Sequence, residues 1–249
     1  MNKIESGNNM NVALCMFGQP RVIRNDFTFN SHQEHIIKKY NPDIYCHSWI
    51  SKEPKEFEYS DWVNPIRRSV EDSFASEIIL EKYKPKHFLF EEPRIFSLEG
   101  KSRELAKNSG KCPLGVYYWS ENNEHNLISQ LYSISKVIKM SSQSKYDWVI
   151  LSRYDNYIEN IPSLYDLDSN NLYLSNHFPH FVDVLMMGGQ EQMNTIDCYD
   201  DIDGLCSEIN YFTPEEFKRA SFNRKFEREV RVDISVGIAR TNTLEGLQK

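Results

Sequence analysis

Directly after the apolar run Trp148-Val149-Ile150-Leu151, the chain places Ser152, Arg153, Tyr154 and Asp155. A carboxylate in that position can hold a hard divalent cation, and the cation can hold phosphate. A guanidinium can meet phosphate oxygens directly with its planar fork. Two other apolar stretches close in a similar way. Asn11-Val12-Ala13-Leu14-Cys15-Met16-Phe17 runs into Gly18-Gln19-Pro20-Arg21, and Asp43-Ile44-Tyr45-Cys46 runs into His47-Ser48-Trp49. Together these tips offer two arginines, an imidazole, an indole and a carboxylate. The mixture suits a nucleoside diphosphate: an aromatic ring for the base, arginines for the phosphates, a carboxylate for a cation. Each tip also has a plainer account. Taken alone, Gly18-Gln19-Pro20-Arg21 reads as a turn, His47 as a strand-end histidine bonded to backbone, Trp49 as a core side chain or a base platform, and Arg153 with Asp155 as a loop ion pair or a helix cap.

These side chains converge only if the elements before them are strands ending on one edge. Short unbroken apolar runs suit strands covered on both faces, as in a parallel sheet flanked by helices, and ligands of such sheets bind beyond the strands' carboxyl ends. The pattern predicts strands at 11–17, 43–49, 86–90, 147–151, 171–175 and 181–187, and a final alternating strand over 230–239. Helices are expected over 29–40 with Asn30 or Ser31 as cap, over 69–83 with Ser69 and Asp72 as a capping pair, over 122–140 and over 190–199. Another helix should start at Thr213-Pro214. Glu91 to Glu121 has no period and reads as a long loop. Strand, helix, strand at the start of the chain predicts a right-handed βαβ unit.

The 249-residue chain is long enough for a full core, and its 40% apolar and 26% charged composition is that of a globular domain. A net charge of -7 argues against nucleic acid as the main partner. Five cysteines, Cys15, Cys46, Cys112, Cys198 and Cys206, form no CxxC spacing, which predicts free thiols in a reducing, cytoplasmic setting. No run approaches a membrane span, and no Gly-x-x-x-x-Gly-Lys loop points to a P-loop NTPase. Residues 1–10 are polar and read as a loose leader to one domain over 11–249. His177 and His180 flank Phe178-Pro179 at a spacing open to a metal pair or to ordinary loop histidines. Gln130, Ser133 and Lys136 read as a solvated helix face, and Glu227 to Arg231 as a solvated charged run.

The ordered set Val12-to-Arg21, Asp43-to-Trp49, Gln130-Leu131-Tyr132-Ser133-Ile134 and Arg153-Tyr154-Asp155 resembles a glycosyltransferase family of bacterial surface-polysaccharide clusters, large viruses and phages. That resemblance implies an α/β fold: a single GT-A-like (Rossmann-like) domain with a mostly parallel central sheet flanked by helices. It implies a nucleotide-diphosphate sugar donor, a glycan or glycoprotein acceptor, and a divalent cation, Mn2+ or Mg2+. A viral source would place the activity in the host cytoplasm. Asp155 matches the last acid of an Asp-x-Asp metal motif, whose first acid is here Arg153. Either Asp155 holds metal with help from elsewhere, or Arg153 supplies the charge itself. Gly18, Gln19 and Arg21 match the first-strand loop beside the nucleotide, with His47, Trp49, Gln130 and Arg153 as further donor-side residues. Asp183 is the candidate base if configuration inverts, and an orienting group if it is retained. The alternative is a non-catalytic nucleotide- or glycan-binding module on the same scaffold.

Overall fold

A computed structural model of the chain describes residues 10–51, 56–59, 67–70, 73–108, 121–178 and 184–239. In chain order the first elements are β1 (Val12–Phe17), α1 (Asp26–His32), a π-helical turn (Gln33–Ile37), α2 (Lys38–Tyr40), β2 (Asp43–Trp49), β3 (Glu56–Tyr59) and β4 (Arg67–Val70). Then come α3 (Ala75–Tyr83), β5 (His87–Glu91), α4 (Gly100–Asn108), α5 (Glu121–Ser141), β6 (Trp148–Arg153), β7 (Asn156–Asn160), β8 (Leu172–Ser175) and β9 (Leu185–Gly188). The chain closes with α6 (Gln190–Thr195), α7 (Ile202–Leu205), α8 (Pro214–Asn223), β10 (Val230–Val232) and β11 (Ser235–Ile238).

Seven strands form the central sheet in the order β10-β8-β9-β6-β1-β2-β5. The pairs β1/β2, β2/β5, β1/β6 and β8/β10 are parallel, and β9 runs against both β6 and β8. The protein is thus an α/β domain with a mostly parallel sheet between helices. From β1 the sheet grows outward through β2 to β5, and the next central strand, β6, is added on the other side of β1. The strand order therefore reverses between β1 and β6, the place where open α/β sheets bind ligands.

Alternation along β1 explains how both faces are covered. Val12, Leu14 and Met16 pack with Ile36, Ile79 and Tyr83 on one face, while Ala13, Cys15 and Phe17 pack with Ile134, Val137 and Ile138 of α5 on the other. The α5 positions Leu127, Leu131, Ile134, Val137 and Ile138 are buried at helical spacing, each worth roughly 1.5–3 kcal/mol when fully covered. The described thiols, Cys15, Cys46, Cys198 and Cys206, are free and buried, and burial pushes the first two and Cys198 up to about 12. No helix among the described residues is long and apolar enough to cross a membrane.

Several boundaries differ from expectation. The cap of α1 is Asn25, whose side chain accepts from Phe27 N at 2.9 Å; Ser31 is buried inside the helix and bonds Ile158 N instead. Ser69 lies in β4, paired with β3, so the helix there starts only at Ala75. The aperiodic stretch after β5 contains α4. The expected last strand is broken at Asp233 and Ile234: β10 extends the main sheet, while β11 pairs with β7, a strand too polar to stand out in sequence. Thr213 caps α8 as expected, accepting from Glu216 N.

Candidate functional site

The register sets the tips side by side. Phe17 pairs with Arg153, Met16 with Cys46, and Trp49 with Glu91. Because β1, β2, β5 and β6 are parallel, Gly18, His47-Ser48-Trp49, Glu91 and Arg153 occupy one carboxyl edge of the sheet. The edge expected from sequence exists, and it includes a fourth tip, Glu91, which lies in strand β5 and not in the aperiodic stretch after it.

A directional hydrogen-bond chain ties three of these tips to α5. Gly18 N donates to Ser133 Oγ at 2.9 Å. Ser133 Oγ lies 2.7 Å from His47 Nδ1, and His47 Nε2 lies 3.0 Å from Glu91 Oε2. Tyr132 OH donates to Glu91 Oε2 at 2.9 Å. Burial works to raise the Glu91 carboxyl, but the bonds from His47 and Tyr132 bring it below its ordinary value, so at neutral pH it only accepts. The His47 proton then sits on Nε2, leaving Nδ1 to accept the Ser133 hydroxyl proton. Burial lowers His47 to about 4 despite Glu91, so its ring is neutral. Gly18 has a φ of 95°, a region that L side chains rarely adopt, which suits it to turn the chain off β1. Beyond it, Arg21 Nε donates to Gln19 Oε1 at 3.2 Å, closing the 18–21 loop on itself.

Arg153 and Asp155 form the tightest pair at the edge. Arg153 Nε and Nη2 meet Asp155 Oδ1 and Oδ2 at 2.8 and 2.6 Å. Asp155 is only 2% exposed. The backbone carbonyl of Asp155 accepts from Ala239 N at 2.7 Å, anchoring the turn between β6 and β7. Below it, on the α1 face, His32 lies 2.9 Å from Tyr83 OH and 3.3 Å from Ser152 Oγ, and burial holds it too at about 4. Asn156 Nδ2 donates to Ser152 Oγ at 3.2 Å and also to the Val184 carbonyl.

Both Asp155 oxygens are bonded to the Arg153 guanidinium, and among the described residues no group of three or more His, Cys, Asp and Glu side chains could hold a metal ion. The described residues do not fit a cation on Asp155 in this arrangement. Asp183 and His180 lie outside the described residues. His177 pairs with Asp233 at 2.7 Å, which is the ordinary loop account.

Of the other expected residues, Trp49 is a buried side chain, 3% exposed, with its ring stacked on Tyr132 and edge-on to Phe96. Gln130 is half-buried on α5, one turn before Ser133. Ser133, expected on a solvated face, is fully buried and joins Gly18 to His47. Arg231, expected in a solvated run, pairs with Glu229 and donates to the Ser175 and Phe178 carbonyls at 3.1 and 3.2 Å. Sequence pattern gives no role to Glu91 or Arg94, and Tyr132 enters only as part of the Gln130-to-Ile134 motif, with no role of its own. The rule that found the other tips, polar residues closing an apolar strand, would have found Glu91 had β5 been read one residue further.

No protein-family model matches the chain, and no curated protein matches it. A functional reading therefore rests on this edge and on the motif resemblance.

Proposed function

We propose that the protein is a glycosyltransferase that moves a sugar from a nucleotide-diphosphate donor to a glycan or glycoprotein acceptor. One observation carries the reading: the polar tips of β1, β2, β5 and β6 meet on one carboxyl edge, at the reversal of strand order. The 18–21 loop, held by Ser133 and closed by Gln19 and Arg21, is the backbone against which the donor lies. Breaking the sugar–diphosphate bond puts negative charge on the leaving oxygen, and cations fixed in advance at that oxygen stabilise it. Arg153, already oriented by Asp155, is the cation assigned to that role. With Asp155 held by Arg153, no step is assigned to manganese or magnesium, which enter the reading as an addition to be tested. Asp183 is the proposed base for an inverting reaction.

A second reading has its own support. An Arg153–Asp155 pair already closed on itself suits a scaffold that binds a nucleotide or glycan without turning it over. A donor-hydrolysis and transfer assay with a panel of nucleotide sugars, with manganese and with EDTA, separates the two. Release of nucleoside diphosphate above the rate of an Arg153→Ala control is the result expected of a transferase. Donor binding without release favours the module, and neither binding nor release with any donor rejects both.

A further inference from the structure

Two cations that the sequence did not single out as a pair gather at the same edge. Arg94, three residues past the end of β5, sets its guanidinium carbon 4.2 Å from the centre of the Tyr132 ring. It also lies 5.2 Å from the Phe96 ring and 5.8 Å from the Trp49 ring. Lys136, one turn beyond Tyr132 on α5, brings its ammonium to 4.5 Å from that same Tyr132 ring. The two charges are thus no further apart than the sum of their distances to one ring centre.

Among the described residues, the acid paired with Arg94 is Glu91. Glu91 lies 3.6 Å from Arg94, but its oxygens also take hydrogen bonds from His47 and Tyr132. His47, packed against the same ring, is neutral at physiological pH. The ring faces supply part of the attraction that desolvated cations need, and so hold both side chains in place without neutralising them. Arg94 remains 48% exposed, so a ligand arriving at the carboxyl edge can reach it. A guanidinium fork and a point-like ammonium held on one ring are the two side-chain types that meet the oxygens of a phosphate or pyrophosphate.

We propose that Arg94 and Lys136, seated on Tyr132, form a protein-borne clamp for a phosphate-type oxyanion that works without a metal ion. The clamp rests on reading the carboxyl edge as the ligand site, and in the transferase reading the group it takes is a phosphate of the donor. It gives the diphosphate positive charge that Asp155, turned toward Arg153, does not recruit.

The test is isothermal titration of the full chain in EDTA, first with inorganic pyrophosphate and then with uridine diphosphate and guanosine diphosphate. The variants are Arg94→Gln, Lys136→Met, which keeps the apolar stem on the ring, and the two combined. Wild-type protein is expected to bind pyrophosphate in EDTA. Each single variant should weaken it by about tenfold or more and the double variant by more than either, since a charge-assisted contact is worth that much. Melting temperatures without ligand should stay near wild type, which a purely structural role for the pair would not allow. No pyrophosphate binding by wild type in EDTA, or unchanged binding by the double variant, overturns the clamp. Nucleotide-sugar turnover unchanged in the double variant also overturns it while leaving the transferase reading standing. Pyrophosphate binding that the double variant loses, in a protein that turns over no nucleotide sugar, supports the clamp and rejects the transferase.

Discussion

Arg153→Ala should lower the unfolding free energy by about 3–5 kcal/mol, seen as a lower urea midpoint. Asp155 is 2% exposed and gives both oxygens to the Arg153 fork. Truncating the arginine leaves a carboxylate in a low-dielectric site without its cation, and that is the costly way to break a buried pair. Asp155→Ala should cost less, because the Arg153 side chain is 21% exposed and its head can turn toward water. Arg153→Lys should fall between, keeping the charge but losing the two-pronged geometry. Replacing both partners, Arg153→Met with Asp155→Leu, should recover much of the loss, since apolar groups of similar volume often match a buried pair. An Arg153→Ala protein as stable as wild type would show that the pair does not organise this turn.

Stability should also fall as pH drops from about 6.5 to about 4, by up to roughly 3 kcal/mol for each of two histidines. Burial is the main reason that His32 and His47 are held at about 4, below the ordinary 6.5. Asp155 near His32 and Glu91 beside His47 pull upward without winning. Below 6.5 the unfolded chain protonates both rings while the folded chain does not, so the unfolded state binds more protons and gains on the folded one. Above 6.5 both states are neutral and the effect vanishes. Glu91, whose folded value is depressed, gives stability that is lost at more acid pH, extending the fall. Urea unfolding across the window should give a steep slope in wild type and a shallower one in His47→Gln and in His32→Gln. Equal slopes in all three would mean that these rings do not couple folding to protons.

Why the edge was legible and its wiring was not follows from where each signal lies in the chain. β2 was read with its observed bounds because an apolar run is enclosed by Asn41-Pro42 and a polar tip. β1, β6 and α5 were found for the same reason: their burial is written as local period. The hydrogen bonds that make the edge a site join residues far apart in sequence, Gly18 to Ser133 and His47 to Glu91, and no local pattern encodes such pairs. Ser133 looked solvated because a hydroxyl is polar, whereas the structure buries it where it can accept from one backbone N–H and donate to one imidazole. Asn30 or Ser31 was expected as the cap because the apolar pattern starts the helix at Phe29, whereas the helix begins at Asp26 and its cap is Asn25. β7 was invisible because Asn156-Tyr157-Ile158-Glu159-Asn160 holds too few apolar residues to show a period. The Arg153–Asp155 pair is visible as a motif, but that the two side chains face each other is set by the turn between β6 and β7, which no local pattern encodes.

Hydrogen exchange read by mass spectrometry, with and without a saturating nucleoside diphosphate, tests most directly that the carboxyl edge is the ligand site. Slower exchange confined to peptides covering residues 17–21, 47–49, 91–96, 130–136 and 153–155 is the predicted result. Protection that instead falls on the opposite end of the sheet, at peptides covering residues 40–43 and 144–148, would contradict it.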